Sequence, residues 1–239
     1  MLASDHILYP LEAGEKIKIY LKQNHRAKRM ILRLDRKTGA PSLTLPKRMP
    51  SQHAIHQFLT QSSAWLQEVI ADQQKIADQA KLEAGNFIQI YGEAYRIAHS
   101  PTARSGVVLD QDQKCLIVSG DAAYLEARIK RFLKKEAARV LVSKTKQVAA
   151  KLNKTPNRIV IKDQSTRFGS CSSKLNINLN WRLILCPEFV QDYVVAHEVA
   201  HLEQMNHTPA FWKVVAKLDP EYGKAERWLK TNAQLLFAY

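Results

Sequence analysis

Residues 197–201 read His-Glu-Val-Ala-His, and a further histidine, His207, follows six residues later. Residues i and i+4 of a helix lie on one face, so His197 and His201 can hold one metal ion together. Glu198 is rotated from His197 by about 100°, which places its carboxylate beside the ion and not on it. This is the arrangement of an H-E-x-x-H metallopeptidase, whose glutamate takes a proton from a zinc-activated water. The segment therefore predicts a hydrolytic metal site with Glu198 as general base.

His207 supplies the third ligand of the predicted site. Asn206 favours the left-handed conformation that ends a helix, and Thr208-Pro209 is typical of the N-cap and first position of the next helix. His207 would then lie in a tight reversal that folds back onto the ion. Three histidines and one water form the open tetrahedral coordination of catalytic zinc, so we predict Zn²⁺ as the cofactor.

The three histidines also have the spacing of H-E-x-x-H-x-x-G-x-x-H metalloproteases. Gln204 stands at the glycine position of that motif, so the turn must differ and the metzincin class is not assigned.

Peptide hydrolysis also requires a group that stabilises the oxyanion. Arg167, Ser170 and Tyr222 are candidates by side-chain type and by nearness in sequence.

The composition indicates a folded chain without a membrane span. Hydrophobic residues make up 46% of the 239 residues and charged residues 24%, which is enough apolar material for a core. No apolar run approaches the length of a transmembrane helix, and the first residues lack the pattern of a signal peptide. Three cysteines are too few for a disulfide framework, so we predict a cytoplasmic protein.

The net charge of +14 leaves the partners open. Basic residues are concentrated at 22–37, where Asp35 is the only acid, and at 121–152, where nine basic residues accompany three acidic ones. Such surfaces attract polyanions, so nucleic acid is a candidate partner. The alternative is a set of solvated faces that serve solubility. The oligomeric state is not predicted.

Periodicity predicts an α+β fold with a boundary near Gly120. Residues 1–120 are expected to form a strand-rich N-terminal region with one long helix, from the N-cap Ser51 to about Glu83. Alternating apolar and polar residues predict strands at 16–22 and 30–35. Further strands are expected at 42–46, 87–91, 95–98, 107–109 and 114–118, with Gly92 and Gly106 between them and Gly120 after the last.

Residues 121–239 are expected to form a mostly helical domain with a small sheet. A long helix is predicted from Asp121 to about Leu152, and strands at 158–162 and 176–180 flank a Gly- and Ser-rich loop. Pro187 is predicted to start the helix that carries the metal motif and runs to about Met205.

Several blocks of the chain resemble the YgjP-like metallopeptidases, which are zincins related to the SprT-like and WLM groups. The blocks are residues 167–173 (RFGSCSS), 177–183 (INLNWRL), 193–198 (YVVAHE) and 206–212 (NHTPAFW), with Lys28-Arg29 and Tyr91-Gly92-Glu93 further upstream. Phe168 and Val199 depart from the family's usual Trp and Leu but stay apolar.

The resemblance implies a zincin-like, gluzincin-like domain with His197, His201 and His207 as zinc ligands and Glu198 as the catalytic base. Cys171 would then be a small buried thiol and not a nucleophile or ligand. The function expected is zinc-dependent hydrolysis of a peptide or protein substrate.

Two other functions stay open at this point. One is a DNA-stimulated protease, because SprT-like relatives include DNA-dependent proteases. The other is a nucleic-acid-binding protein with a structural zinc, against which Glu198 argues because a structural site needs no general base.

Overall fold

A computed structural model describes residues 5–10, 16–34, 39–102 and 106–239, which form an α+β fold as predicted. These residues contain six α-helices and three sheets. The chain divides into two compact units, residues 1–76 and 77–239. The boundary predicted near Gly120 therefore lies inside the second unit.

The first unit is a four-stranded sheet with two helices. Its elements are β1 (His6–Pro10), β2 (Lys16–Gln23), β3 (Ile31–Leu34), β4 (Pro41–Leu45), α1 (Gln52–Gln61) and α2 (Ser63–Gln79), of which the last three residues of α2 belong to the second unit. The strand order is β1-β2-β4-β3, and only β2 and β4 are parallel. Ile19, Leu43, Leu59 and Leu66 are buried in a core of this unit. In β2 the apolar Ile17, Ile19 and Leu21 are more buried than the residues between them, which confirms the predicted alternation. The predicted strand residue Asp35 lies outside the described residues.

One long helix was expected after Ser51, and the chain forms two. Ser51 caps α1 as predicted, because its hydroxyl accepts a hydrogen bond from the Ala54 N–H at 3.1 Å. The break follows at Ser62, whose hydroxyl donates to the Phe58 carbonyl at 2.8 Å. A serine hydroxyl bonded to the preceding turn competes with the helical hydrogen bonds and bends the chain.

The second unit begins with another four-stranded sheet, which packs on a long helix. Its elements are β5 (Phe87–Ile90), β6 (Glu93–Ser100), β7 (Val107–Asp110), β8 (Cys115–Ser119) and α3 (Leu125–Ala150), and the strand order is β5-β6-β8-β7. Ile97 and Leu116 share one buried core with Ile129 and Leu133 of α3. This shared core explains why residues 77–120 belong with the helical part.

The last sheet and three helices surround the histidines. They are β9 (Arg158–Lys162), β10 (Gly169–Cys171), β11 (Asn176–Asn180), α4 (Glu188–Ala200), α5 (Pro209–Leu218) and α6 (Tyr222–Ala238). The order β10-β11-β9 leaves β10 at an edge. The Gly- and Ser-rich segment predicted as a loop thus contains a short strand, because residues 169–171 pair antiparallel with 177–179.

A tight turn fixes the start of α4. Tyr91 and Gly92 join β5 to β6 with positive φ angles of 56° and 79°, as a two-residue hairpin turn requires. Their N–H groups donate to the carbonyls of Ile184 (2.8 Å) and Leu185 (3.2 Å), and Gly92 lies against Pro187, the N-cap of α4. The hairpin therefore holds the chain just before the helix that bears the histidines.

The long helix α3 holds α4 from another side. The ammonium group of Lys144 donates to Asp192 at 2.6 Å and to Glu188 at 3.1 Å. None of the described helices has the length and apolar character needed to cross a lipid bilayer.

Candidate metal centre

Helix α4 brings His197 and Glu198 to the site, and His201 follows at its C-cap. The helix ends at Ala200, so the predicted extension to Met205 is wrong. His201 nevertheless keeps a right-handed helical backbone, with φ −65° and ψ −14°. The two rings therefore stay on one face, with centroids 5.2 Å apart.

His207 returns to this face through a turn that differs from the predicted one. Asn206 is not among the residues with positive φ, so the left-handed conformation predicted for it is wrong. Gln204 still bonds back to the Ala200 carbonyl, and the Thr208 N–H bonds to the Asn206 carbonyl at 2.7 Å. Because the reversal is spread over these residues, no single left-handed residue is needed. Thr208 is the N-cap of α5 and Pro209 its first residue, as predicted.

The three histidines converge. The Nε2 atoms of His197 and His207 lie 3.1 Å apart, and one ligand atom from each of the three rings lies within 4.8 Å of the others. Nitrogen ligands at tetrahedral positions around zinc are separated by roughly 3.4 Å, given Zn–N bonds of roughly 2.1 Å. The buried Phe211 ring packs on all three, with its centroid 4.5 to 4.9 Å from each.

Two of the histidines are held in a state that suits a metal ligand. Nδ1 of His201 faces the Gln204 carbonyl at 3.0 Å, and because a carbonyl only accepts, Nδ1 carries the proton and Nε2 keeps its lone pair. Burial lowers the pKa of His197 to about 4, and it also lowers the pKa of His201. Both rings are therefore neutral near pH 7, as coordination requires.

Glu198 is buried beside these rings, with 5% of its surface exposed. Its Oε2 atom and Nδ1 of His197 have no hydrogen-bond partner among the described residues. Burial raises the pKa of Glu198 to about 8, and the positive charge of Arg167 opposes this rise. An unpartnered buried carboxylate costs several kcal/mol, roughly, unless a cation or a reacting molecule meets it. The donor set and this orphaned oxygen fit a site for a divalent metal ion.

Gly169 gives the Glu198 carboxylate its space. A methyl group at residue 169 would stand only 2.6 Å from Cγ of Glu198 and would overlap the carboxylate. Edge strand β10 therefore lies directly against the candidate base.

The three oxyanion candidates lie in different surroundings. Arg167 is near enough to Glu198 for its charge to act on that carboxylate. Ser170 lies in β10 and accepts a hydrogen bond from the Asn178 amide at 3.2 Å. Tyr222 begins α6, and its ring stacks on Trp212 with 5.6 Å between centroids. The Trp212 ring in turn lies 5.9 Å from the His197 ring, so the Trp212 ring contacts both Tyr222 and His197.

The sequence reasoning missed an aromatic wall around the histidines. Tyr193, one turn before His197, has its ring 5.9 Å from that histidine and donates a hydrogen bond to Glu226 at 3.1 Å. Trp212 closes another side, next to Phe211. The sequence could have predicted the position of Tyr193 beside the histidines, because Tyr193 precedes His197 by four residues and so lies on the same helix face.

A scan against protein-family models matches residues 28–232 to the family described as YgjP-like, metallopeptidase domain. The chain belongs to the YgjP-like family. The resemblance stated from the sequence is thereby confirmed, and the family's description implies a metal cofactor and a hydrolase class. Searches of curated proteins and of solved structures give no significant match.

In this YgjP-like domain, Cys171 is a partly buried thiol next to the candidate base. Burial raises the pKa of Cys171 to about 11, and the negative charge of Glu198 adds to the rise. The side chain is thus a thiol near neutral pH and lacks the reactivity of a thiolate. The thiol predicted to be buried is thus only half-buried, and its structural role stays a prediction.

Proposed function

We propose that this protein is a zinc-dependent peptidase in which His197, His201 and His207 hold the ion and Glu198 is the general base. The observation that carries the proposal is the buried Glu198 carboxylate, whose Oε2 atom has no hydrogen-bond partner among the described residues, beside three converging imidazoles. When bound, zinc polarises the scissile carbonyl, lowers the pKa of water and adds a positive charge that favours ionised Glu198.

Glu198 performs the proton transfers. Its carboxylate accepts a proton from the attacking water and delivers it to the nitrogen of the leaving amine. A carboxyl group whose environment raises its pKa toward neutrality suits both steps, because it can gain and lose a proton near the working pH. Arg167 favours the ionised form before the attack.

The edge strand β10 offers a place for the substrate. Among the described residues, β10 pairs on one side with β11 and with no strand on the other. An extended peptide can add to such an edge through backbone hydrogen bonds. The contact between Gly169 and Glu198 would bring the bound peptide close to the base. We propose a peptide or protein substrate on these grounds.

Two variants test the proposal. Purified protein should contain about one zinc per chain by elemental analysis, and the His201→Ala variant should lose most of it. Glu198→Gln should keep the zinc and abolish hydrolysis of unfolded casein. Retained hydrolysis in Glu198→Gln, or full zinc content in His201→Ala, would contradict the proposal.

A DNA-stimulated protease is the second candidate function. The observation that favours it is a row of exposed basic residues on α3, of which Arg131, Lys135 and Lys146 make no ion pair with a described residue. Other basic residues of α3 are neutralised, since Lys130, Lys134, Arg139 and Lys144 pair with acids. Hydrolysis that rises on addition of DNA and falls with salt would support this function.

A nucleic-acid-binding protein with a structural zinc is disfavoured by Glu198. Such a site is closed by a fourth protein ligand and leaves a buried carboxylate without a role. A cytoplasmic location also stays a prediction, supported by three free thiols at Cys115, Cys171 and Cys186.

A further inference from the structure

Strand β3 forms an open edge of the sheet in the first unit. It pairs on one side with β4, and no strand among the described residues pairs with its other side. An edge strand presents N–H and C=O groups that can bond to another extended chain. The β3 edge is thus a potential site for strand addition.

A groove runs beside this edge, between β3 and the helices. Its volume is about 370 Å³, and Met30 and Leu32 line it opposite Phe58 and Trp65. Leu32 lies across from the buried Leu43, which fixes its side chain on the inner face of the sheet. Trp65 is 40% exposed, which is high for so large an apolar side chain. The groove therefore offers apolar surface that no described residue covers.

Basic side chains lie beside the groove and on the outer face of β3. Arg29 lines the groove, and Arg33 projects from β3 on the face opposite Leu32. Both are exposed, and neither makes an ion pair with a described residue. Residues 16–34 contain seven Lys and Arg residues and no acid. A ligand that follows the β3 edge meets apolar surface on one face and positive charge on the other.

We propose that the β3 edge and its groove bind an extended peptide segment that alternates apolar and acidic side chains. The peptide adds a strand beside β3, so its successive side chains point to opposite faces. Apolar side chains then enter the groove toward Leu32 and Trp65, and acidic side chains meet Arg33 on the other face. Binding at this surface is separate from the hydrolysis proposed at Glu198.

Nucleic acid fits the same surface less well. Phosphates can neutralise Arg29 and Arg33, and a base can stack on Trp65, but neither matches the alternating donors and acceptors of a strand edge. An extended peptide can use the strand edge, the apolar groove and the two arginines at the same time. The test therefore includes an oligonucleotide as a competing ligand.

The probe is fluorescein-labelled EVEFEVE peptide with a blocked C-terminus, measured by fluorescence anisotropy. The protein is the full chain with Glu198→Gln, so that the probe is not hydrolysed. We expect saturable binding, weakened by at least about tenfold when the central residues of the probe are N-methylated, because backbone donors are then lost. Trp65→Ala should weaken binding by at least about tenfold as well.

Charge reversal makes the test specific to this surface. The R29E/R33E variant should lose at least about tenfold in affinity for EVEFEVE and should bind KVKFKVK more tightly than the parent does. The matched control is K16E/K18E, which changes the net charge equally at exposed positions of β2 and should leave EVEFEVE binding within about twofold. Circular dichroism of each variant checks that the fold is kept.

Three results would overturn the proposal. The first is no saturable EVEFEVE binding, or equal losses in R29E/R33E and K16E/K18E. The second is tighter binding of oligothymidylate that R29E/R33E removes, which would assign the surface to nucleic acid. The third is a dimer in sedimentation that R29E/R33E dissociates, which would assign the edge to a second copy of this chain.

Discussion

The Glu198 carboxylate lies directly against the backbone of Gly169, in the space that a larger residue's side chain would fill. One residue from α4 and one from β10 thus meet at the candidate metal centre. Glu198 can occupy this position because residue 169 has no side chain.

Gly169→Ala should therefore disable the base without removing the metal. The added methyl group would overlap the carboxylate, so Glu198 must shift, and a misplacement of about 1 Å can cost about 100-fold in rate. We expect kcat/KM to fall by about that factor while the zinc content stays at the parental level. Gly223→Ala is the matched control, because its methyl group would meet only Arg227, at an ordinary 3.6 Å. Equal activity of the two variants would show that the contact is unimportant.

Substitutions of Tyr222 and Ser170 should have different effects on kcat, because the two side chains differ in their position relative to the histidines. The Tyr222 ring borders the histidines through Trp212, whereas the Ser170 oxygen accepts a hydrogen bond from the side-chain amide of Asn178, which holds it against β11. If Tyr222 donates to the oxyanion, Tyr222→Phe should lower kcat by about 100-fold with little change in KM, as loss of one such donor does. Ser170→Ala should change kcat by less than about threefold. A larger loss in Ser170→Ala than in Tyr222→Phe would reverse the assignment.

The sequence predicts the convergence of the three histidines better than it predicts their surroundings, for a physical reason. His197 and His201 are related by helical geometry, and the cap residues Thr208 and Pro209 place His207 locally. The contact between Gly169 and Glu198 joins segments 29 residues apart, and periodicity contains no information about such pairing.

The domain boundary shows the same limit on a larger scale. The change from strands to a long helix at Gly120 is visible in the sequence, but the burial that joins β5–β8 to α3 is tertiary. The break between α1 and α2 at Ser62 is similar. A helical pattern continues across it, whereas the Ser62 backbone (φ −98°, ψ 5°) and the hydroxyl bond to Phe58 mark the break in the structure.

The turn before α4 should be sensitive to substitution. Gly92 has φ +79°, and an added Cβ would stand 2.8 Å from the backbone Cα of Pro187. Gly92→Ala should thus lose about 3 kcal/mol of unfolding free energy, combining the left-handed penalty with a clash that cannot relax. Gly85→Ala separates the two costs, because φ is +94° there but no described atom lies within 4 Å of the added Cβ.

Urea unfolding measures both variants. Gly85→Ala should lose only about 1 kcal/mol, which is the penalty of the backbone conformation alone. Equal losses in the two variants would show that packing against Pro187 contributes nothing. A loss of bound zinc in Gly92→Ala, absent in Gly85→Ala, would further indicate that the turn positions α4.

The ion pair between Arg182 and Asp163 should make stability depend on pH in the acid range. The guanidinium of Arg182 is nearly buried and donates to Asp163 at 2.6 Å, and Lys134 donates to the other oxygen at 2.8 Å. Burial alone would raise the pKa of Asp163, but these two bonds hold it well below its usual range. Because the folded-state pKa lies below the unfolded value of about 3.9, the stabilisation is complete above about pH 4 and is lost as the pH falls further.

Asp163→Asn should remove this dependence. The Asp163 side chain is 50% exposed, so solvent screening reduces the pair's contribution to about 1 kcal/mol above pH 4. The difference in unfolding free energy between parent and variant should be constant from about pH 7 to about pH 4 and should shrink below it. Urea unfolding of chelator-treated protein measures this without a contribution from metal binding. Asp112→Asn, at an exposed residue, is the control and should match the parent throughout. A difference that grows below pH 4 would contradict the assignment of the shift to Asp163.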